Sequence, residues 1–208
     1  MTIRIVGVAG SLTAPSRTIE LVEQIVAEIG RHLSVESEIV RVDELGPAFA
    51  GTLHRRDLTS EVERAVVAIE TADVLVVASP VYRASFTGLF KHLFDFVDQY
   101  ALVDTPVLLA ATGGSERHAL IIDHQFRPLF AFFSALTLPL GVYAHDSDFT
   151  DYLISSPRLR ERLEKAVAKA VPLIRSNLAE REEIARTLAG LVEAVPERDP
   201  RAPVRLLA

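Results

Sequence analysis

The chain of 208 residues contains no cysteine. Disulfides, thiolate nucleophiles and cysteine-bound metal centres are thereby excluded. Two familiar phosphate loops are also missing. There is no G-x-x-x-x-G-K-[ST], so no lysine cradles a triphosphate, and no G-x-G-x-x-G, the dinucleotide fingerprint of the Rossmann fold. No apolar run is long enough to span a bilayer, and the first residues carry no basic-then-apolar leader, so a cytoplasmic location is expected. Basic residues are in deficit. Lys and Arg number 22 against 28 Asp and Glu, and the formal charge of −6 argues against nucleic acid or an anionic membrane as a partner.

Apolar residues, by contrast, make up 49% of the chain, enough for a globular core. The stretch Ile3–Thr18, IRIVGVAGSLTAPSRT, organises the rest. Ile3, Ile5, Val6 and Val8 read as a buried strand, and Gly7, Ala9 and Gly10 leave room for close approach at its end. Ser11, Thr13, Ser16 and Thr18 then supply hydroxyls, with Arg17 among them. Ile19, Val22, Val26 and Ile29 follow at helical spacing. A helix beginning near Ser16 points its free N–H groups and positive dipole end back at this loop, a place for a single terminal phosphate. A bare βα turn with a serine cap would look the same locally.

Strand and helix patterns then alternate. Glu36–Val42 reads as a charged edge strand, Gly46–Asp57 as a loop, and Ser60 to Glu63 as a capping box opening a helix. Asp73–Ser79 and Pro106–Ala111 are unbroken apolar runs of the kind found in parallel strands covered on both faces. Ser85–Tyr100 and Glu116–Ala135 read as helices, Leu138–Ala144 as a last strand and Pro157–Ile174 as a closing helix. The expected fold is α/β: a flavodoxin-like three-layer sandwich around a parallel five-stranded sheet of order 2-1-3-4-5. One domain, 1–177, is expected, followed by a polar extension, 178–208, partly helical or loose, with three prolines after Val195.

Ligands of open α/β sheets sit beyond the carboxyl ends of the strands. Three strand ends here have distinctive loops: GSLTAPSRT, then Ser79-Pro80-Val81-Tyr82, then Thr112-Gly113-Gly114-Ser115. The second offers backbone groups and a flat aromatic neighbour. In the third, small residues let backbone N–H groups approach a planar polar edge. Singly, Pro80 can just end a strand and the glycine pair can just turn the chain. Together, a phosphate cradle and two loops shaped for a flat heteroaromatic ring imply FMN. His118, His124 and His145, with Asp123, Asp146 and Asp148, show no ligand spacing on one helix face, so no metal is expected. His92 is expected on the surface of its helix. Arg83 and Arg117 are candidates for a nicotinamide-side phosphate, with a solvated surface role the favoured reading. Phe86, Leu89, Phe90, Leu93, Phe94 and Val97 exceed one packing stripe and suggest an apolar interface, hence a homodimer or homotetramer.

GSLTAPSRT, SPVYRASFTGLFKHLFDFVD and ATGGSERHALIIDHQFRPLF resemble the NAD(P)H-dependent FMN reductases, in particular the flavin reductases of two-component alkanesulfonate monooxygenase systems. The likeness runs from about Ile3 to Arg160 and does not extend into the C-terminal tail. It implies hydride transfer from NADH or NADPH to FMN and delivery of FMNH₂ to a partner monooxygenase, with no catalytic side chain. It assigns the phosphate to Ser11, Ser16, Arg17 and Thr18, the ring to Pro80, Val81 and Tyr82, and its pyrimidine edge to Thr112, Gly113 and Gly114. It also implies a π-bulge at a subunit interface, at the place His124 occupies. An FMN-bound quinone, azo or chromate reductase and a flavodoxin-like electron carrier are the alternatives.

Overall fold

Period-two alternation in the apolar strands decides the layering. The computed structural model describes residues 2–193, the side chains of residues 116 and 189–193 excepted. In chain order its elements are β1 (Ile3–Ala9), α1 (Arg17–Gly30), β2 (Val35–Arg41), α2 (Val42–Phe49), α3 (Ser60–Glu70), β3 (Val74–Pro80), α4 (Gly88–Phe94) and β4 (Pro106–Gly113). A π turn (Ile122–Phe126) then leads into α5 (Arg127–Phe132), β5 (Leu136–Thr137), β6 (Val142–His145), β7 (Phe149–Thr150), β8 (Leu153–Ile154) and α6 (Pro157–Glu193). Ile5 and Ala9 of β1, Val74, Val76 and Ala78 of β3, and Leu108 and Ala110 of β4 face α1 and α6. Val6 and Val8, Leu75 and Val77, and Val107, Leu109 and Ala111 face the opposite layer, with α2 to α5. The sheet is parallel, of order β2-β1-β3-β4-β5, a flavodoxin-like three-layer sandwich as expected.

The edge position of β2 follows from its charges: Glu36 and Glu38 point to solvent, and Glu38 meets Arg4 at 3.7 Å. The last strand position is not one strand. β5 pairs with Pro106 and Val107 of β4, β6 pairs with Ala110 to Gly113, and Pro139-Leu140-Gly141 breaks the ladder between them. The stretch from Gly46 is helical as far as Phe49, in α2. Thr59, not Ser60, caps α3; its hydroxyl accepts from Val62 N at 3.4 Å.

The aromatic helix is the largest departure. α4 has seven residues, capped by Thr87, and turns follow it to Tyr100. Its aromatics go inward. Phe86, Phe90 and Phe94 meet Phe126 and Phe130 in a ladder with centroids 4.9 to 5.6 Å apart. Phe90, Leu93, Phe94 and Val97 are buried and Phe86 and Leu89 partly so, so the exposed patch expected there is absent. His92 is half-buried, its Nε2 3.2 Å from the Phe49 carbonyl and its ring against Phe49 and Phe96. At the other end, α6 continues through Pro172 past Ile174 to Glu193. Residues 178–193 of the expected extension are therefore helical, and 194–208 lie outside the described residues.

Candidate functional site

The carboxyl ends of β1, β3 and β4 open on one cleft of about 270 Å³. All ten residues singled out from the sequence line it: Ser11, Ser16, Arg17, Thr18, Pro80, Val81, Tyr82, Thr112, Gly113 and Gly114. The parallel sheet forces this, because successive strands deliver their carboxyl ends to the same edge. Thr13, Pro15, Asp146 and Tyr152 complete the lining.

At the first loop, Ser16 caps α1, its hydroxyl accepting from Thr18 N at 3.1 Å and keeping its own proton to donate. The Ser11 hydroxyl is buried and donates to the Thr13 carbonyl. The Thr18 hydroxyl pairs with the third loop. It is 2.7 Å from the Thr112 hydroxyl, and both residues are buried. That bond ties the first loop to the third. Thr18→Val should leave Thr112 unpaired and cost about 1–3 kcal/mol of stability, whereas Thr18→Val with Thr112→Val should recover most of it. Urea unfolding of the three variants measures this.

Arg17 carries the informative atom. Its Nε is buried with no hydrogen-bond partner, while its Nη1 lies 3.0 Å from Asp146 Oδ1. An unpaired buried donor is costly unless a ligand takes it. Arg17 at the start of α1, beside Ser16, therefore fits a phosphate. Tyr152 lies across Arg17, its ring centroid 5.8 Å from Cζ.

Two strained turns shape the mouth. Tyr82 and Ser85 exchange backbone hydrogen bonds around Arg83 and Ala84, whose φ values are +51° and +64°. Asp151 and Tyr152, at +48° and +68°, turn the β7–β8 hairpin in the same way. Left-handed backbone without glycine is costly and clusters at ligand sites. Each turn presents a half-exposed tyrosine to the cleft, Tyr82 and Tyr152. At the third loop, a Cβ on Gly113 would meet the Tyr143 hydroxyl at 2.5 Å, and that hydroxyl donates to Ser115 O at 2.6 Å. Gly113 is thus required by close packing; among the described residues no glycine has a positive φ. Arg83 and Arg117 are exposed and do not line the cleft.

The wall bearing Asp146 is fixed from behind. Asp148 Oδ2 accepts from His145 N at 2.9 Å and from Arg162 at 2.8 Å. Burial alone would raise the Asp148 carboxyl, but the bonds from His145 and Ser156 and the charge of Arg162 outweigh it and hold the group below the ordinary carboxylate value. A lowered folded value means its stabilising contribution is complete above the ordinary value and lost as pH falls through the lowered one. Asp148→Asn should therefore lower the melting temperature near neutral pH and cost less in acid. Melting curves at pH 7 and pH 3 test this. Among the described residues, no group of three or more His, Asp or Glu converges as a metal site.

A parallel sheet of this order with a cleft at its carboxyl edge defines a flavodoxin-like three-layer α/β protein. Residues 3–150 match the family model for NADPH-dependent FMN reductase, and the chain belongs to that family. It is 50% identical over 176 residues to the NADH-dependent FMN reductase SfnF of Pseudomonas fluorescens, covering 85% of this chain and 94% of the relative. It is 49% identical over 170 residues to an FMN reductase (NADPH) of Pseudomonas aeruginosa, covering 82% and 91%. An oxidoreductase structure from Corynebacterium diphtheriae superposes with a TM-score of 0.72 at 31% identity, covering 84% of this chain and 98% of that one. The chain is an oxidoreductase of FMN and reduced nicotinamide.

Proposed function

We propose that the chain is an NAD(P)H:FMN oxidoreductase that takes FMN as an exchangeable substrate and hands reduced flavin to a flavin-dependent monooxygenase. The observation that carries this reading is the unpaired Arg17 Nε in a cleft lined by all three strand-end loops. Arg17, Ser16 and the amino end of α1 hold the phosphate, while the hydroxyls of Ser11 and Thr18, bonded to the Thr13 carbonyl and to Thr112, shape the loop around it. Pro80, Val81 and Tyr82 line the ring, and the backbone of Thr112, Gly113 and Gly114 meets its pyrimidine edge, where N–H donors stabilise developing negative charge. Bound FMN supplies the hydride acceptor. The chain's own task is to hold one ring and leave its other face open to the nicotinamide; no side chain has to act as acid or base. NADH and NADPH both suit this arrangement.

A few charge-assisted bonds and stacking, less association costs of about 4 kcal/mol or more, leave micromolar to submicromolar affinity. The protein should purify colourless, and NAD(P)H oxidation should be negligible until FMN is added and then saturate. Stoichiometric flavin surviving extensive dialysis would favour the permanently flavinated quinone, azo or chromate reductase instead. Absence of NAD(P)H oxidation with added FMN would leave the electron carrier. A homodimer or homotetramer is part of the proposal, supported by the exposed Tyr100, Leu120 and Phe132 and by the π turn at His124. Light scattering that reports a stable monomer at micromolar concentration would remove that part. No helix among the described residues is long and apolar enough to cross a membrane, and the proposed setting is the cytoplasm.

A further inference from the structure

Among the described residues, the charged side chains lining the cleft are Arg17 and Asp146, one of each sign. They are paired at 3.0 Å, with side-chain exposures of 41% and 48%, so the pair is open to any ligand that enters. Asp146 also reaches the opposite wall: a Cβ on Gly114 would come within 3.2 Å of its Oδ2. One oxygen thus rests on the arginine of the phosphate end and the other borders the loop of the ring end. The turn bearing it is held by Asp148 through His145 N and Arg162, so the carboxylate is placed rather than loose.

A carboxylate there has the wrong sign for a phosphate dianion. A phosphate approaching Arg17 Nε comes within one guanidinium's width of Asp146, and among the described residues no second cation of the lining offsets the repulsion. We propose that Asp146 is a built-in competitor for the phosphate: it engages Arg17 and repels the ligand's charge, keeping flavin affinity low enough for reduced flavin to leave. The inference rests on the flavin reading of the cleft and adds the residue that sets the exchange rate. Affinity differences of this kind appear mostly in the off-rate.

Asp146→Asn tests it, because the amide keeps the size and an acceptor for Arg17 while removing the charge. FMN affinity should rise about tenfold at low salt, equivalent to roughly 1.4 kcal/mol. The gain should shrink as ionic strength rises, because the pair is exposed and screened. Riboflavin, which lacks the phosphate, should bind parent and variant alike, and FMN release measured by stopped flow should slow in the variant. Asp146→Ser, which removes charge and bulk, should also tighten FMN. If Asp146→Asn weakens both flavins, Asp146 is a ligand of the ring or ribityl chain and the proposal is overturned. Unchanged FMN affinity at low salt overturns it too. If the parent binds neither flavin, the flavin reading of the cleft falls first and the inference goes with it.

Discussion

Arg17→Ala should weaken FMN binding by about ten- to a hundredfold and leave riboflavin binding unchanged. A hydrogen bond to a charged group contributes roughly 1.5–3 kcal/mol, and among the described residues Arg17 is the one cation lining the cleft. Its Nη1 is engaged by Asp146, so the unpaired Nε is the donor a phosphate gains. Lysine at this position would restore the charge but not the side-on donor, so Arg17→Lys should recover only part of the loss. Fluorescence titration with both flavins separates the possibilities. Equal loss for FMN and riboflavin would mean that Arg17 acts on the fold of the loop and not on the phosphate.

Deleting His124 should have the second large effect. The π turn spans Ile122–Phe126, and Arg127 N reaches back five residues to Ile122 O. Its position has a local cause: Pro128 has no N–H to give the His124 carbonyl, so the regular ladder already fails there. The turn persists because its surroundings fix both sides. Phe126 is buried against Phe86 and Phe90, Arg127 binds Asp123, Leu138 O and Pro139 O, and Gln125 accepts from Ser85 at 3.2 Å. That last bond joins the π turn to the strained Tyr82–Ser85 turn at the cleft mouth. His124 itself is exposed.

Removing one residue restores α register and rotates one side of the turn against the other by about 100°. Gln125 then loses Ser85, and the surface around Leu120 and Phe132 is rearranged. The deletion variant should lose the proposed oligomer, keep FMN through purification and deliver less reduced flavin to an acceptor enzyme. His124→Ala keeps the register and should be mild. Oligomer mass and bound flavin for parent, deletion and alanine variant decide this. A deletion variant that keeps the parent's oligomer, purifies colourless and turns over normally would reduce His124 to a surface residue.

The sheet and its cleft were legible because their signals are strong and repeat. Unbroken apolar runs such as DVLVVAS mean buried parallel strands, and parallel strands bring their terminal loops together whatever the loops contain. The hidden part of the site arrives by weaker signals. Asp146 sits on a three-residue turn between two-residue strands and β6, too short for a periodic pattern. Tyr152 sits in a left-handed hairpin turn that has no glycine to announce it. The polar histidine and aspartate run containing Asp146 could be weighed as a metal site, but its partner Arg17 lies 129 positions earlier in the chain, and only the fold joins them.

The aromatic segment misled for a related reason. Periodicity counts apolar residues without saying what they meet, and Phe126, Phe130 and Phe133 supply an internal partner for α4. The helix also stops at Phe94, six residues before Tyr100, although the apolar spacing continues. For the C-terminal helix, polarity after Asn177 reads as a partly helical or loose extension, while the helix runs on to Glu193 with mostly exposed side chains over residues 179–188. Polarity reports solvent exposure, which a long surface helix satisfies as well as a loop does.

A crystal structure of the protein soaked with FMN tests the central claim most directly. The phosphate should lie within hydrogen-bond distance of Arg17 Nε and Ser16, with the ring against Tyr82 and its pyrimidine edge on the Thr112–Gly114 backbone. Density for the phosphate away from Arg17, or a ring seated outside the cleft between the Pro80–Tyr82 and Thr112–Gly114 loops, would contradict it.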